Sequence, residues 1–236
     1  MLLPAMITPV TVDVEVVWRR VSDDPALADL LEDHERERAA RRSNPARYIT
    51  AHALLRSSVG ERLGIAPRDI VFDRTCATCG SHRHGKPTVA GHPDLSVSLS
   101  YAGGVAVVAL SRDGEVGVDV EEVDESDFDG FTVVTLDASE VPAMDALDGD
   151  ALRWARAHVW ARKEAVLKAS GHGLAVDPRQ VVVSGPRERA ALVAWKGEHP
   201  LGSPVQIADV ELGDPEHVAA VALLSPEPVA VRVVSA

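Results

Sequence analysis

The 236-residue sequence carries 24 lysines and arginines against 36 aspartates and glutamates, a formal net charge of −12, and the whole excess of acid lies after residue 113. Because basic residues cluster only between Arg36 and Arg47, general nucleic-acid binding is not expected. The chain has no apolar run of about eighteen residues and no secretion signal at its start, so we expect a soluble cytoplasmic protein without a membrane partner.

The elements predicted from residue patterns alternate between strands and helices. An alternating segment at 11–17 predicts a strand. Pro45 to Gly64 predicts a helix with proline near its start and glycine at its end. Residues 95–99 and 104–111 are β-branched runs joined by a Gly-Gly turn, which predicts a hairpin. A second alternating strand at 117–121 precedes a second helix, from Asp150 to Gly171 or Gly173.

The two halves of the chain resemble each other in the same order. Residues 11–17 resemble 117–123, 64–72 resemble 173–183, and 104–111 resemble 217–225. Three ordered matches indicate a duplicated unit of about 110 residues. We therefore predict an α+β fold built from a duplicated strand-helix-strand unit. An N-terminal pseudo-repeat would span 1–113 and a C-terminal pseudo-repeat 114–236, with a ligand cleft between them.

Acidic residues on the second strand and second helix are candidates for a metal site. Asp119 and Glu121 share one face of a strand, and Glu164 and Lys168 share one face of a helix. If these faces meet, three hard oxygen donors and a lysine converge, which suits Mg²⁺ and a phosphate substrate. The alternative is that the carboxylates only form ion pairs with lysines on the surface.

The first half repeats the two strand acids as Asp13 and Glu15. When the two repeats are aligned by their matching segments, Glu164 corresponds to a small or apolar residue of the first half. Lys168 corresponds to Ser57 or Val59. The first half therefore lacks the third acid and the lysine, and we interpret its two acids as structural or solvent-facing.

These residues resemble the motifs of a known family, the 4′-phosphopantetheinyl transferases of the larger, pseudo-dimeric type that activates peptide and polyketide synthases. The family's Gly-x-Asp-x-Glu motif stands here as Gly117–Glu121. Its Trp-x-x-Lys-Glu-x-x-x-Lys motif and glycine-rich turn stand as Trp160–Gly173, and an upstream Gly-Lys-Pro as Gly85–Pro87. The resemblance covers roughly residues 30–183.

The resemblance implies a pseudo-two-fold monomer whose first half binds coenzyme A and whose second half carries the metal. Such enzymes transfer the 4′-phosphopantetheine arm of coenzyme A to a serine of an acyl, peptidyl or polyketide carrier protein and release 3′,5′-ADP. Asp119, Glu121 and Glu164 would correspond to the Mg²⁺ ligands, and Glu164 and Lys168 to catalytic residues, with Lys168 at the leaving phosphate. Glu140 would correspond to an acid that helps to deprotonate the serine.

The resemblance also implies residues that contact coenzyme A. Arg47, Lys86, Ser100 and Lys163 fall where relatives contact its phosphates. Tyr101 departs from the family, which commonly has a histidine there that contacts a phosphate. A tyrosine can donate a hydrogen bond but carries no charge at neutral pH. This departure implies weaker binding of coenzyme A or a different pose of its 3′-phosphate.

The cysteines fall in one cluster with two histidines, Cys76, Cys79, His82 and His84. A Cys-x-x-Cys knuckle with two histidines could hold tetrahedral Zn²⁺, although the histidines are closer together than in zinc fingers. The alternative is a polar loop whose histidine contacts the nucleotide, and a disulfide is disfavoured in a reducing cytoplasm.

Two other functions stay open at this point. A non-catalytic relative would bind coenzyme A or a carrier protein without releasing 3′,5′-ADP. A Mg²⁺-dependent phosphohydrolase would use the same carboxylates on a nucleotide and would not need a carrier protein.

Overall fold

The computed structural model describes residues 11–75, 80–81 and 85–236. Its strands are β1 (Val12–Arg20), β2 (Phe72–Asp73), β3 (Thr88–Val89), β4 (Ser96–Ala102), β5 (Val105–Ser111), β6 (Val116–Glu122), β7 (Val181–Val183), β8 (Leu192–Trp195), β9 (Val205–Val210), β10 (His217–Leu224) and β11 (Val229–Ser235). Its α-helices are α1 (Asp33–Ala39), α2 (Pro45–Leu63), α3 (Phe131–Thr135), α4 (Val141–Asp145) and α5 (Gly149–Ser170). Within these ranges, no helix is long and apolar enough to cross a membrane.

The two main sheets share a three-stranded unit of the same topology. In the first sheet the strand order is β11-β1-β5-β4-β3-β2, and in the second it is β6-β10-β9. The hairpin strand β5 pairs antiparallel with β1 and β4, as β10 pairs antiparallel with β6 and β9. The order β1-β5-β4 therefore matches β6-β10-β9 strand for strand. The predicted α+β class and the duplicated strand-helix-strand unit are confirmed.

Both predicted long helices form, with the predicted ends. Asn44 caps α2 by accepting a hydrogen bond from the Arg47 backbone amide, and Pro45 occupies the first turn. Gly64 ends this helix at φ 68°, and Gly171 ends α5 at φ 75°, both in the left-handed region that favours glycine. The predicted hairpin also forms, and β4 extends to Ala102 because the turn is made by the two following glycines.

The long helices and the two sheets form four layers. Val14, Val16, Val118 and Val221 belong to an apolar cluster between the two sheets. Alternate residues of the same strands face the helices, so Leu110 packs in the core under α2 and other second-sheet residues pack under α5. The near-continuous apolar runs of β5 and β10 reflect burial of both faces of these strands. In this arrangement α5 covers the outer face of β6.

The last strand belongs to the first sheet. β11 pairs in parallel with β1, from Val12 opposite Val229 to Trp18 opposite Ser235. A strand from the end of the chain thus completes the sheet of the first repeat. The division of the chain into two repeats between residues 113 and 114 stays a prediction. It did not foresee that a strand of the second repeat pairs within the sheet of the first.

Serine side chains join the two sheets where β4 approaches the free edge of β6. The Val116 and Val118 backbone amides donate to the hydroxyl oxygens of Ser96 and Ser98, each at 3.0 Å. These bonds satisfy edge amides that would otherwise be buried without partners. The next serine on this face, Ser100, contacts a side chain of β6 instead.

Candidate active site

The close approach of α5 to β6 brings the predicted acidic residues together. At Gly117 a Cβ atom would lie 2.0 Å from the backbone oxygen of Ala165 and 2.4 Å from the backbone nitrogen of Ala169. Only glycine fits there, so the helix rests directly on the strand. Asp119 and Glu121 therefore face the helical residues Glu164 and Lys168, as the strand and helix periodicities predict.

Asp119, Lys168 and Ser100 form a hydrogen-bonded group. The Lys168 Nζ donates to Asp119 Oδ1 at 2.5 Å, to Ser100 Oγ at 2.8 Å and to the Val118 carbonyl at 3.2 Å. The Ser100 hydroxyl donates to the same Oδ1 at 2.7 Å. Lysine and serine thus hold one oxygen of Asp119 and leave the other free to face the remaining acids.

Two carboxylate oxygens of the acidic cluster, which consists of Asp119, Glu121 and Glu164, lack a hydrogen-bond partner among the described residues. They are Asp119 Oδ2 and Glu164 Oε1, both buried. Burial, followed by the negative charge of Asp119, raises the pKa of Glu164 to about 7 although Lys168 lowers it. Burial and the charge of Asp119 raise the pKa of Glu121 above its ordinary value as well. The cluster therefore holds more carboxyl groups than Lys168 alone can keep ionised.

These features fit a hard divalent cation. Orphaned buried carboxylate oxygens and raised carboxylate pKa values both indicate a missing positive charge. The donors are all carboxylates, which suit Mg²⁺ better than softer metals. Asp119, Glu121 and Glu164 are the residues that would hold it.

A cleft of about 560 Å³ opens beside the acidic cluster. Glu164 and Lys168 lie both in the cluster and in the cleft wall. The cleft is otherwise lined by residues of β4, by the segments before β3 and by the turn after α5, namely Arg74, Gly85, Lys86, Pro87, Ser98, Leu99, Leu167, Gly171, His172, Gly173, Leu174 and Ala175. Three cationic side chains thus line a space of the size of a nucleotide ligand.

Comparisons with known proteins agree with this site. Residues 115–222, which include the acidic cluster and α5, match the 4′-phosphopantetheinyl transferase superfamily. The chain is 27% identical to the 4′-phosphopantetheinyl transferase HetI of Nostoc sp. over 75% of this chain and 76% of that protein. It is 25% identical to a 4′-phosphopantetheinyl transferase of Bacillus subtilis over 55% of this chain and 54% of that protein. The part of the chain that carries the acidic cluster is therefore similar to the 4′-phosphopantetheinyl transferase superfamily.

A further relative is slr0495 of Synechocystis sp., which is 26% identical over 70% of this chain and 68% of that protein. The proteins of this superfamily are enzymes. The repeated sheet topology agrees with the larger, pseudo-dimeric transferases. Some of the residues that the sequence predicted for the site do not line the cleft.

Glu140 and Lys163 form a buried pair away from the cleft. The Lys163 Nζ donates to Glu140 Oε2 at 2.6 Å and to the carbonyls of Val181 at 2.6 Å and Pro178 at 3.1 Å. The other oxygen of Glu140 accepts from the Val183 backbone amide. Lys163 is 0% exposed and its three ammonium protons are used within this group. In this structure the pair fixes α5 against β7 and does not line the cleft, so the predicted roles of both residues stay predictions.

The other residues that were predicted to contact coenzyme A lie in different parts of the structure. Lys86 lines the cleft and pairs with Glu115 at 2.5 Å, and Ser100 supports the acidic cluster. Arg47 is not among the residues lining the cleft and lies 3.7 Å from Glu125. Tyr101 packs against the cores under α1 and α2. The cleft itself thus receives Lys86 from the predicted set, together with Glu164 and Lys168.

Two polar residues of the cleft, Arg74 and Ser98, were not predicted from the sequence. Arg74 stands alone between Asp73 and Thr75, outside any recognised spacing. Ser98 shares a strand face with Ser100, and this period of two was the available indication. Neither residue type identifies a site unless the fold is known.

The predicted zinc ligands Cys76, Cys79, His82 and His84 lie outside the described residues. A different group, Asp214, Glu216 and His217, has metal-ligand spacing. However, His217 Nδ1 faces Asp214 Oδ2 at 3.1 Å and its Nε2 accepts from the Gly104 amide at 3.3 Å. Arg20 pairs with the same aspartate at 2.9 Å. These partners make the group a structural contact between the two repeats.

Proposed function

We propose that this chain transfers the 4′-phosphopantetheine arm of coenzyme A to a serine hydroxyl of an acyl, peptidyl or polyketide carrier protein, with Mg²⁺ as cofactor and 3′,5′-ADP as the second product. The observation that carries the proposal is the pair of unpartnered buried oxygens, Asp119 Oδ2 and Glu164 Oε1, at the end of a cation-lined cleft. Similarity to the 4′-phosphopantetheinyl transferase superfamily supports the reaction class.

The metal would be held by Asp119, Glu121 and Glu164. When bound, Mg²⁺ supplies charge neutralisation at the pyrophosphate. Ser100 and Lys168 fix the orientation of Asp119 through its other oxygen. This division of the carboxylate keeps one oxygen aimed at the cation site.

The protein groups at the end of the cleft can serve both proton transfers. The carrier serine oxygen attacks the phosphorus that bears the pantetheine arm, and the bond from this phosphorus to the oxygen of 3′,5′-ADP breaks. Glu164 lies in the cleft wall and can accept the serine proton. Lys168, also in the wall, can donate to the leaving phosphate oxygen. The cleft walls orient coenzyme A between them.

The test is intact mass spectrometry of apo-carrier proteins incubated with this protein, coenzyme A and Mg²⁺. We expect one phosphopantetheine added per carrier, and its loss when a chelator is present. Asp119→Asn should abolish the addition, whereas Asp13→Asn, at the matching position of the first repeat, should not. Asp13 is exposed, so its replacement leaves the acidic cluster intact.

The same assay separates the two alternatives. Binding of coenzyme A without modification of several acyl and peptidyl carriers would indicate a non-catalytic relative. Cleavage of coenzyme A at equal rates with and without carrier would indicate a phosphohydrolase. Either result would overturn the proposed transfer.

A further inference from the structure

The short acidic segment at residues 124–127, which follows β6, lies against two arginines of α5. Asp124 Oδ1 lies 3.2 Å from Arg153 Nε, and Asp127 accepts a hydrogen bond from Arg156. Both aspartates remain in contact with water, since 86% of the Asp124 side chain and 41% of the Asp127 side chain are exposed. The acidic segment therefore covers the two arginines with ion pairs of the exposed type, which are weak.

The two arginines do not use all their donors in these pairs. The Nε atoms of Arg153 and Arg156 are buried and have no hydrogen-bond partner within the described part of the chain. Arg162 on the same helix, by comparison, donates from Nε and Nη2 to the two oxygens of Asp209, the paired arrangement that suits a carboxylate. Arg153 and Arg156 thus have donors left for a carboxylate that is better placed than those of the acidic segment.

Apolar side chains border the same arginines. The Arg156 guanidinium lies 5.2 Å from the ring centre of Phe131, and Phe128 packs edge-on against this ring at 5.4 Å. Phe128 is exposed, as are Val133 and Val134 on α3. Arginines beside exposed aromatic and aliphatic residues are typical of protein–protein interfaces. The surface therefore has the composition of a docking site for a protein that carries carboxylates.

The surface is close enough to the acidic cluster to meet a bound carrier protein. Arg153 and Glu164 are eleven residues apart on α5, so they lie on nearly the same face of the helix, about 16 Å apart. The proposed function, on which this inference rests, brings the carrier serine to Glu164. Even a small domain is about 30 Å across, so a carrier seated there reaches Arg153.

We propose that Arg153 and Arg156 bind carboxylates of the carrier protein, and that the acidic segment occupies these arginines in the free protein as an internal competitor. Docking of an acidic carrier exchanges two exposed ion pairs for pairs with the partner. Because such pairs contribute little to stability, the exchange does not require the segment to unfold. The competition makes docking selective, since a carrier with few carboxylates does not displace the segment.

The experiment measures the rate of carrier modification at increasing concentrations of an apo-acyl carrier protein of strongly negative net charge. The wild-type chain is compared with the double variant Asp124→Asn/Asp127→Asn, which retains Glu125 and its contact with Arg47. We expect the KM for the carrier to fall by about twofold to tenfold in the double variant, the range for release of two exposed ion pairs. The kcat and the KM for coenzyme A should not change.

Two further variants identify the cause of this fall. Glu61→Gln/Asp69→Asn is the matched control, because it removes the same charge from exposed positions of the first repeat. It measures the general loss of repulsion between two acidic proteins. In Arg153→Met/Arg156→Met the docking arginines are absent. Addition of the two aspartate substitutions to this variant should leave its KM unchanged, because the segment then has nothing to cover.

The KM of the double variant relative to the matched control decides the result. A fall no larger than in the control, or an equal fall without the arginines, would overturn the inference and leave the proposed transfer intact. If the variant without both arginines fails to fold, Asp124→Asn with and without Arg153→Met decides in the same way.

A wild-type chain that modifies no carrier would overturn the proposed transfer, and calorimetric titration with the same carrier then decides the inference. Tighter binding by the double variant than by the matched control supports the docking surface. Equal binding by the two variants, or binding by neither, overturns the docking surface as well.

Discussion

At the scale of single residues, Glu164 takes part in both proposed roles of the site, as a ligand of the cation and as the acceptor of the serine proton. Its Oε1 is buried without a partner, and its side chain belongs to both the acidic cluster and the cleft. Asp119, in comparison, is held by Ser100 and Lys168 through one oxygen. Replacement of Glu164 therefore changes the cation site and leaves the hydrogen bonds of its neighbours in place.

We expect Glu164→Gln to lower the rate of carrier modification by at least about a hundredfold, because an amide of nearly equal volume removes a metal-binding charge. The measurement is the initial rate from intact mass spectra, with thermal unfolding as a check of the fold. Glu61→Gln, an exposed position on α2, is the control and should retain full activity. Wild-type turnover in Glu164→Gln would contradict the cation assignment.

The residues of the acidic cluster could be predicted because their faces follow from local periodicity. A period of two places Asp119 with Glu121, and a spacing of four places Glu164 with Lys168. Lys163 could not be assigned in this way. Its neighbours in the motif face the cleft, but its own direction depends on the carbonyls of Pro178 and Val181, which only the tertiary structure provides.

At the scale of elements, the contact between α5 and β6 determines the site. Gly117 permits this contact, because any Cβ atom there would overlap the helix backbone. The glycine is thus a packing requirement, and the acids that follow it depend on the packing distance.

We predict that Gly117→Ala pushes α5 away from β6 and destabilises the fold by at least about 1–3 kcal/mol, the usual cost of overpacking. For a chain of this size the Tm should fall by several degrees, about 2–4 °C per kcal/mol. Mg²⁺ affinity should fall as well, since the acids on the two elements separate.

Gly104→Ala provides the matched control for this change. Nothing lies within 4 Å of a Cβ atom at Gly104, so this variant should keep the wild-type Tm and Mg²⁺ affinity. If Gly117→Ala melted at the wild-type temperature, the close approach would not be a requirement of the fold.

The sequence predicted α2, α5 and the β4–β5 hairpin because caps, prolines and glycines mark their ends locally. It did not predict the serine contacts between β4 and β6. In the sequence, Ser96 and Ser98 are ordinary polar residues of an alternating strand. Their hydroxyl oxygens accept hydrogen bonds because the edge of β6 lies opposite, and only the tertiary structure shows this.

At the scale of the whole molecule, we expect the acidic cluster to make stability depend on pH and, through the proposed cation site, on Mg²⁺. The pKa of Glu164 is raised from 4.5 to about 7 in the folded protein, and the pKa of Glu121 is raised too. A carboxyl with a raised folded-state pKa contributes stability below its unfolded pKa and loses it as pH rises through the folded value. Without metal, the protein should therefore become less stable as these groups ionise.

We expect the Tm of the metal-free protein to fall between about pH 6.5 and pH 8.5, because the pKa of Glu121 is raised to about 9 and that of Glu164 to about 7. Mg²⁺ should raise the Tm more at the upper end, where Glu164 has lost its proton. This window lies above the ordinary pKa of histidine, which avoids the opposing effect of buried His52, whose pKa is lowered to about 4. Scanning calorimetry with and without Mg²⁺ measures both trends. A Mg²⁺ effect that is equal at both pH values would count against the cluster as the cation site.

The pairing of β1 with β11 has a consequence for synthesis of the protein. The two strands lie more than two hundred positions apart in the chain, and the partners are parallel from Val12 opposite Val229. While a ribosome makes the intervening residues, the emerging first repeat has β1 as an open edge, which is the type of surface that pairs with other chains. This edge closes only when residues 229–235 have left the exit tunnel, so the nascent chain carries an unpaired strand edge until then.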